Sequence, residues 1–439
     1  MSTLKYKLFF TICILYSNTI TGQPNLGNTD LINLDGLSDL GMVFEPGFKI
    51  NNLEVSKTFQ PSFIISSKGT LLVFCQGRLF SGGDNDPKVI LMNKSYDLGR
   101  TWEGVEVLSS PMNFFAISPY TAEINGKERI SFLTCVGLKV TKKFYNHDPN
   151  LLKQKTGINL EEVGENKAAV LCRYYSDDDG ISWNLETLVN DKTPLYKNYN
   201  GFIPVFMNTI GQVHKITEGK NTGRFILAAP MYAVPEKDTI TDNFRNHLCT
   251  GSGVIHSDDN GETWQMNVMI TDYLANEASA VSIDEGNSLL IIRRLNNPER
   301  YEKFLPKSTL LPGINERIAH KSYDGGKTWS DPFFIYISDI KCHGTLCRIN
   351  DRLYFSIPTG LEDRTIQKEQ WDDDRVRGAI YYSDDEGKSW DYKIIEENYF
   401  SYSTVGRLTD KYSISFFSRG GHGRFGIGYR IFTDQWLTN

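Results

Sequence analysis

The chain lacks the charge pattern of a protein that binds polyanions. Its 439 residues carry 47 Lys and Arg against 53 Asp and Glu, a formal net charge of −6 at pH 7, and no basic stripe runs through them. Binding to nucleic acid or to an anionic membrane surface depends on such a positive surface. The sequence therefore predicts neither a nucleic-acid partner nor a membrane-surface partner.

Cysteine is scarce, and cysteine and histidine nowhere show the spacing of a zinc site. Cys75, Cys135 and Cys172 lie in apolar, strand-like runs, which favours buried free thiols. Cys342 and Cys347 would point to opposite faces if their segment is one strand, and this disfavours a bridge between them. We expect neither a metal nor another cofactor.

A long apolar run is found only at the start of the chain. Lys5 and Lys7 precede the apolar stretch 8–15, and small residues follow near Gly22. This pattern is typical of a signal peptide rather than of a membrane span. We predict a signal peptide over 1–22 and a secreted protein, extracellular or periplasmic, without a lipid anchor or a membrane span.

The most informative feature that is present is an octet, Ser-x-Asp-x-Gly-x-Thr/Ser-Trp, which occurs five times at intervals of 61 to 81 residues. The copies run from Ser95 to Trp102, Ser176 to Trp183, Ser257 to Trp264, Ser322 to Trp329 and Ser383 to Trp390. The Asp can accept backbone N–H bonds across a tight turn, and the Gly supplies the left-handed conformation. The Trp is an apolar anchor. Recurrence every 61 to 81 residues predicts a repeat protein.

Stretches rich in β-branched and aromatic residues precede the octets, such as 88–92, 168–175 and 378–382. They predict strands, and no stretch of helical period and length competes with them. Strand, turn and strand repeated around an axis indicate an all-β fold, a β-propeller of four-stranded blades. Residues 139–167 are charged and rich in Asn, Lys and Glu, and predict a long loop inserted between two strands.

The octet resembles the Asp box, or BNR repeat, of the sialidase superfamily. The resemblance extends from about Asn52 to Leu437 and implies a six-bladed propeller in which one blade has lost its box. The expected organisation is a signal peptide, an N-terminal extension over 23–50 and a propeller over 51–439. The box alone does not establish catalysis, because non-catalytic sorting and matrix receptors also carry it.

Sialidases hydrolyse glycosides of sugars that bear a carboxylate on the anomeric carbon. A carboxylate nucleophile would be repelled by that group, so the family uses a neutral Tyr that a nearby Glu deprotonates. An Asp serves as general acid and base, and three arginines bind the substrate carboxylate. The resemblance implies the same groups here.

Two segments resemble those that carry the base and the nucleophile of the family. The segment from Ala275 to Arg293 is similar to the one in which the catalytic Glu is followed, one strand later, by a triad Arg. It implies Glu277 as the base and Arg293 as a carboxylate ligand. Ser-Tyr-Ser-Thr-Val at 401–405 is similar to the element that bears the nucleophile, which implies Tyr402.

A second triad arginine is implied just upstream of the last octet. Arg375 precedes Tyr402 by 27 residues, a separation typical of the family. Arg377 and Arg364 are alternatives, because an arginine at a strand edge is more often a solvated charge than a ligand.

The acid is implied by residues 76–86. They resemble the segment in which an Arg binds the 4-position of the sugar and an Asp about six residues later is the acid and base. Arg78 and Asp84 take these places, with Asp86 as the alternative. Paired glycines in this segment predict a mobile loop, which suits an acid that meets the substrate late.

The family pattern fails at the first triad arginine. Phe59 stands in its place, and Ser418 stands in place of the Glu that braces this arginine in the family. A lone Arg or Glu would be an uncompensated buried charge, so the paired loss indicates a coherent redesign. Either Arg419 supplies a cation from another direction, or the site binds its substrate acid with two arginines and accepts a different sugar.

These residues imply a secreted, retaining exo-glycosidase of the sialidase type, acting on a terminal sialic acid or a related 2-keto-3-deoxy sugar acid of an acidic glycan or sialoglycoconjugate. A monomer is expected, because nothing in the sequence demands an oligomer. A second hypothesis is a non-catalytic glycan-binding propeller. A third is a propeller polysaccharide lyase, which would need a Tyr/His pair. His343 and His422 are available for it but lie in no recognisable lyase element.

Overall fold

The structure is a computed structural model of the chain. It describes residues 32–33, 35–50, 52–164, 169–188, 202–206, 210–235, 249–266, 270, 275, 277–294, 316–338, 340, 342–360, 374–421 and 424–439. The predicted signal peptide, Arg364 and His422 lie outside these residues.

The described residues are dominated by β-structure. The strands are β1 (Gly41–Phe44), β2 (Phe48–Ile50), β3 (Leu53–Ile65), β4 (Leu71–Leu79), β5 (Lys88–Ser95), β6 (Glu106–Val107), β7 (Ser118–Ile124), β8 (Lys127–Gly137), β9 (Ala169–Ser176), β10 (Asn184–Leu188), β11 (Phe202–Phe206), β12 (His214–Lys215), β13 (Phe225–Pro235), β14 (Cys249–Ser257), β15 (Gln265–Met266), β16 (Ala278–Ile283), β17 (Ser288–Arg293), β18 (Glu316–Ser322), β19 (Phe333–Ser338), β20 (Thr345–Ile349), β21 (Arg352–Pro358), β22 (Val376–Ser383), β23 (Asp391–Tyr399), β24 (Ser401–Arg407), β25 (Ser413–Gly421) and β26 (Arg424–Phe432). The α-helices are α1 (Leu138–Phe144), α2 (Pro149–Thr156), α3 (Leu160–Val163) and α4 (Asp434–Thr438). In this part of the chain no helix is long and apolar enough to cross a bilayer.

The strands form six antiparallel sheets, which we number as blades in chain order. Blade 1 contains β2–β6, blade 2 β7–β10, blade 3 β11–β15, blade 4 β16–β19, blade 5 β20–β23, and blade 6 contains β24, β25, β26 and β1. Inner strands of neighbouring blades contact one another, β3 with β7, β16 with β20, β20 with β24 and β24 with β3. The predicted six-bladed β-propeller is confirmed.

Each octet is the turn between the last two strands of its blade. In blade 3 the Asp259 carboxylate accepts hydrogen bonds from the Ser257 hydroxyl at 2.7 Å and from the Thr263 backbone N–H at 2.8 Å. Gly261 has a φ of 84°, the left-handed conformation that the turn requires. The buried Trp264 ring lies 5.9 Å from that of Tyr120 in blade 2. The octet therefore packs its blade against the preceding one.

Blade 6 has no octet because its third and fourth strands are not consecutive in the chain. Its third strand, β26, is followed by α4, and its fourth strand is β1, with Gly41 paired to Tyr429. No turn joins these two strands. Blade 6 therefore has no position for an octet, and the expectation that one blade has lost its box is revised accordingly. Strands β1 and β2 both lie within 23–50, so the propeller begins before residue 51, contrary to the expected boundary.

The insertion between β8 and β9 is helical, and the prediction of a loop there was wrong. The Asp148 carboxylate caps α2 by accepting from the backbone N–H groups of Asn150 and Leu151. Leu152 and Val163 are buried in the same apolar cluster as Val170 of blade 2. Helices this short are marginal alone, and packing against the blade stabilises them.

Candidate active site

Side chains from four blades meet in one cluster. Tyr402 lies on β24 of blade 6, Glu277 immediately precedes β16 of blade 4, and Arg375 immediately precedes β22 of blade 5. Blade 1 contributes Phe59 from β3 and Arg78 from β4. Residues far apart in the chain therefore form one site because the propeller brings its blades around a common axis.

Tyr402 and Glu277 form the centre of the site. The Tyr402 hydroxyl donates to Oε1 of Glu277 at 3.4 Å. Tyr402 lies at an irregularity in the pairing of β24 with β25 and has a φ of 32°. Its backbone N–H donates to Sγ of Cys342 at 2.9 Å. A non-glycine residue persists at positive φ only where its surroundings over-determine it, as they often do at functional sites.

The surroundings set opposite protonation states for this pair. Burial raises the pKa of the Tyr402 phenol well above its ordinary value, the Glu277 charge raises it further, and Arg375 opposes both. Burial alone would also raise the pKa of the Glu277 carboxyl, but the guanidinium groups of Arg294 and Arg375 hold it below its usual value. At neutral pH the phenol therefore keeps its proton and the carboxylate is charged.

Arg294, and not Arg293, faces this pair. Nη1 of Arg294 donates to Oε2 of Glu277 at 2.5 Å. Arg293 is 0% exposed, and a guanidinium without exposed surface cannot contact a substrate. Its hydrogen-bond partners include Oγ of Ser252, Nε2 of His320 and the carbonyl oxygens of Ile270 and Ala275, at 2.7 to 3.0 Å. The choice of Arg293 as a carboxylate ligand stays a prediction from the sequence, and Arg294 is the arginine that lies beside Glu277.

Of the arginines near the last octet, Arg375 lies at the site. Its Cζ is 5.1 Å from the centre of the Tyr402 ring, and its Nη1 donates to Oγ of Ser401 at 3.4 Å. The guanidinium of Arg377 instead lies 3.6 Å from the carboxylate of Glu397.

The loop between β4 and β5 presents Asp84 at the opposite side of the site. The Asp84 carboxylate is 89% exposed and lies 2.8 Å from Nη1 of Arg78. The Asp86 carboxylate is used within the loop, where it accepts from the Ser81 hydroxyl at 2.6 Å and from the Gly83 N–H at 3.0 Å. Asp84 is the carboxyl group that is open to an incoming substrate.

Phe59 fills the position of the missing arginine and links the two sides of the site. Its ring lies 4.8 Å from the Tyr402 ring, and Cζ of Arg78 lies 4.5 Å from the Phe59 ring centre. Contacts therefore run from Asp84 through Arg78 and Phe59 to Tyr402. The nucleophile candidate and the acid candidate belong to one connected cluster.

Phe59 and Ser418, which stand in place of the family's arginine and its bracing glutamate, are also neighbours. Oγ of Ser418 accepts from the backbone N–H of Gln60 at 3.2 Å, directly after Phe59. Arg419 is partly exposed and is paired with Gly426 across β25 and β26. Among the described residues, no hydrogen bond or ion pair joins Arg419 to Tyr402 or Phe59. A role for Arg419 stays a prediction.

His343 is placed unfavourably for a lyase mechanism. It is buried, and its Nε2 lies 3.0 Å from the carbonyl oxygen of Ala278. Burial lowers the pKa of His343 to about 4 against the opposing effect of the Glu277 charge, so the ring is neutral at neutral pH. Its hydrogen bond to Ala278 directs the ring to the protein backbone.

Two residues of the site were missed from the sequence. Arg294 directly follows β17 and the arginine that was chosen, and alternation at the end of this strand would have shown that only one of the two can face the site. Nothing in the sequence pointed to Cys342, because its contact with the Tyr402 backbone joins segments 60 residues apart.

Comparison with known proteins agrees with the fold. Residues 159–414, more than half of the chain, match the family model of the BNR repeat-like domain. The chain is similar to sialidases of Paraclostridium sordellii, at 25% identity over 66% of this chain and 62% of that protein, and of Clostridium perfringens, at 22% identity over 64% and 63%. These matches span less than two thirds of either relative. The solved structure of the Hadza microbial sialidase Hz136 has the same fold, with a TM-score of 0.60 at 15% identity over 89% of this chain and 69% of that one.

Proposed function

The chain belongs to the BNR repeat-like domain family and is sialidase-like, and from this premise we propose that it is a secreted, retaining exo-glycosidase. Its substrate is a terminal sialic acid, or a related 2-keto-3-deoxy sugar acid, on a glycan. The observation that carries the proposal is the Tyr402–Glu277 hydrogen bond at 3.4 Å, in contact through Phe59 and Arg78 with the exposed carboxylate of Asp84.

Substrate binding would prepare the base. In the absence of substrate, Arg294 donates to Glu277 and holds its pKa down. A substrate carboxylate that binds Arg294 and Arg375 competes for these guanidinium groups and neutralises part of their charge. The pKa of Glu277 then rises, and the carboxylate becomes a stronger base at the moment when Tyr402 has to lose its proton.

Chemistry then proceeds in two displacements. Tyr402 Oη attacks the anomeric carbon and passes its proton to Glu277, while Asp84 protonates the departing glycosidic oxygen. The product is a sugar bonded to the tyrosine, with the glycosidic bond broken. In the second step Asp84 takes a proton from water, the water oxygen attacks the anomeric carbon, and Tyr402 leaves and recovers its proton. Two inversions give net retention of configuration.

Asp84→Ala is expected to reduce turnover of natural glycans far more than turnover of glycosides with an acidic leaving group. A good leaving group needs little protonation, whereas removal of a general acid typically costs about 10²–10⁴ in rate on a poor one. The measurement is kcat/KM on a sialylated oligosaccharide and on a nitrophenyl glycoside of the same sugar. Equal loss on both would assign Asp84 to binding or folding and make Asp86 the better acid.

Restoring the family pattern is expected to improve activity on sialic acid. The double variant Phe59→Arg, Ser418→Glu should raise kcat/KM on sialosides by about tenfold, whereas Phe59→Arg alone should not, because a buried arginine without its carboxylate is costly.

Arg419→Ala tests whether Arg419 replaces the missing cation, since removing one partner of a desolvated charge pair costs roughly 2–4 kcal/mol in kcat/KM. A silent Arg419→Ala together with a damaging Phe59→Ala would instead mean that Phe59 packs on an apolar part of a different sugar.

A panel of aryl glycosides tests the proposal directly. The panel contains sialic acid, its deaminated analogue and shorter ulosonic acids, and release of the aryl alcohol is measured. Turnover of at least one acidic glycoside is expected. Binding without turnover across the panel would favour the non-catalytic glycan-binding propeller, and a product that absorbs in the ultraviolet through a new double bond would indicate a lyase.

A further inference from the structure

We propose that Lys88 is a positioning residue that holds the Asp84 loop against blade 1, and that the loop loosens when Lys88 loses its proton. The effect of the loosened loop on catalysis rests on the function proposed above. The mobility of the loop does not depend on that function, so it can be tested separately.

Lys88 ties the loop to its neighbouring segment through three hydrogen bonds. It lies on β5 and is 2% exposed. Its Nζ donates to the carbonyl oxygens of Asp84 at 2.7 Å and Asp86 at 3.2 Å, and to Oδ1 of Asn113 at 2.7 Å. An ammonium group has three N–H donors, and all three are used here.

The other hydrogen bonds of the loop show why the contacts of Lys88 matter. Asp86 accepts from Ser81 and Gly83, but these bonds lie within the loop. Backbone bonds join Gly82 and Pro87 to Leu79 of β4, and Arg78 is a further side-chain contact with blade 1, through the carbonyl oxygen of Gly82 at 3.3 Å and the carboxylate of Asp84. Lys88 holds the backbone of Asp84 itself, and so fixes where its exposed carboxylate is presented.

Burial and the neighbouring Arg78 charge make the proton of Lys88 labile near neutral pH. Burial, and then the Arg78 guanidinium directly opposite on β4, lower the pKa of Lys88 to about 7, while Asp84 and Asp86 act in the other direction. Below this pH the ammonium makes all three bonds. Above it the neutral amine has two N–H donors, so one of the three acceptors loses its partner.

Hydrogen–deuterium exchange of the full-length protein tests the tie without reference to catalysis. In the wild type, the protected amides of Gly82, Gly83 and Asp86 should exchange about tenfold faster at about pH 8.5 than at about pH 6, after correction for intrinsic rates. In Lys88→Met the same amides should exchange fast at both pH values. Lys94→Met is the matched control, because Lys94 is also buried on β5 but is bound to Glu106, 3.0 Å away. It should keep the wild-type pH dependence. Equal protection of the wild-type loop at both pH values would overturn the proposal.

Kinetics test the consequence for the acid. Lys88→Met should lower kcat/KM on a natural glycan by about tenfold and on a nitrophenyl glycoside by less than about threefold, because only the poor leaving group depends on Asp84. Lys88→Arg keeps its charge and should move the alkaline limb of the pH profile upward by about one unit or more. Equal losses on both substrates, with the alkaline limb unmoved in Lys88→Arg, would make Lys88 a structural residue only. Absence of turnover in the wild type would defeat the proposed function, while the exchange data would still decide the role of Lys88.

Discussion

Tyr402→Phe is expected to lower kcat on natural glycosides by at least ~10³, about 4 kcal/mol of activation free energy, because the sugar can no longer be captured covalently. The hydroxyl that is removed donates only to Glu277 among the hydrogen bonds of the described residues, so the fold should be unaffected. Steady-state kinetics measure the rate, and proton NMR of the first product measures the anomer. The wild type should release the anomer with retained configuration.

Tyr429→Phe is the matched control for this variant. Tyr429 belongs to the same blade, and its hydroxyl donates to the carbonyl oxygen of Gly99, which is part of the first octet. Its loss should reduce the free energy of unfolding by about 1 kcal/mol and leave kcat unchanged. Near wild-type activity of Tyr402→Phe, or a first-formed product of inverted configuration, would exclude a tyrosine nucleophile.

Arg294→Met is expected to impair catalysis, whereas Arg293→Met is expected to impair stability. Loss of Arg294 removes a proposed ligand of the substrate carboxylate and should lower kcat/KM by about 10²–10³, with little change in stability. Loss of Arg293 leaves several buried acceptors unpaired and should lower the free energy of unfolding by about 2–4 kcal/mol, with kcat/KM per folded molecule nearly unchanged. Chemical denaturation and kinetics on the same preparations separate the two effects.

The Arg294 variant should also change the pH dependence. Arg294 holds the pKa of Glu277 down against burial, so its removal should raise that pKa and move the acid limb of the kcat/KM profile to higher pH. An unmoved acid limb would show that Glu277 is not the base. An inactive but stable Arg293→Met, beside an active Arg294→Met, would restore Arg293 as the substrate ligand.

We infer that Asp84 and Tyr402, the proposed acid and nucleophile, beside a changed arginine reflect a change of substrate preference rather than loss of chemistry. Phe59 is packed between Tyr402 and Arg78, so it has become part of the site and does not leave a cavity where the arginine is missing. Its aromatic ring presents an apolar surface where sialidases present a guanidinium. We expect the sugar ring, more than the carboxylate, to decide which acid is accepted.

The sequence alone determined the architecture of this protein because its octets are local. Asp259 accepts hydrogen bonds from Ser257 and Thr263, which are only a few residues away, and Gly261 with its positive φ lies in the same turn. A pattern of this kind is complete within one stretch of chain, and its repetition predicts the blades. Glu277, Tyr402 and Asp84 could be chosen in the same way, from the short motifs around them.

The tertiary structure alone decided the features that depend on contacts between blades. Arg293 and Arg294 are equivalent in the sequence, and only the packing of blade 4 places one in the interior and the other beside Glu277. Blade 6 is closed by β1, a pairing between the two ends of the described chain that no local pattern encodes. Side-chain direction and strand pairing are set by neighbours that are distant in sequence, so they become known only when the blades are assembled.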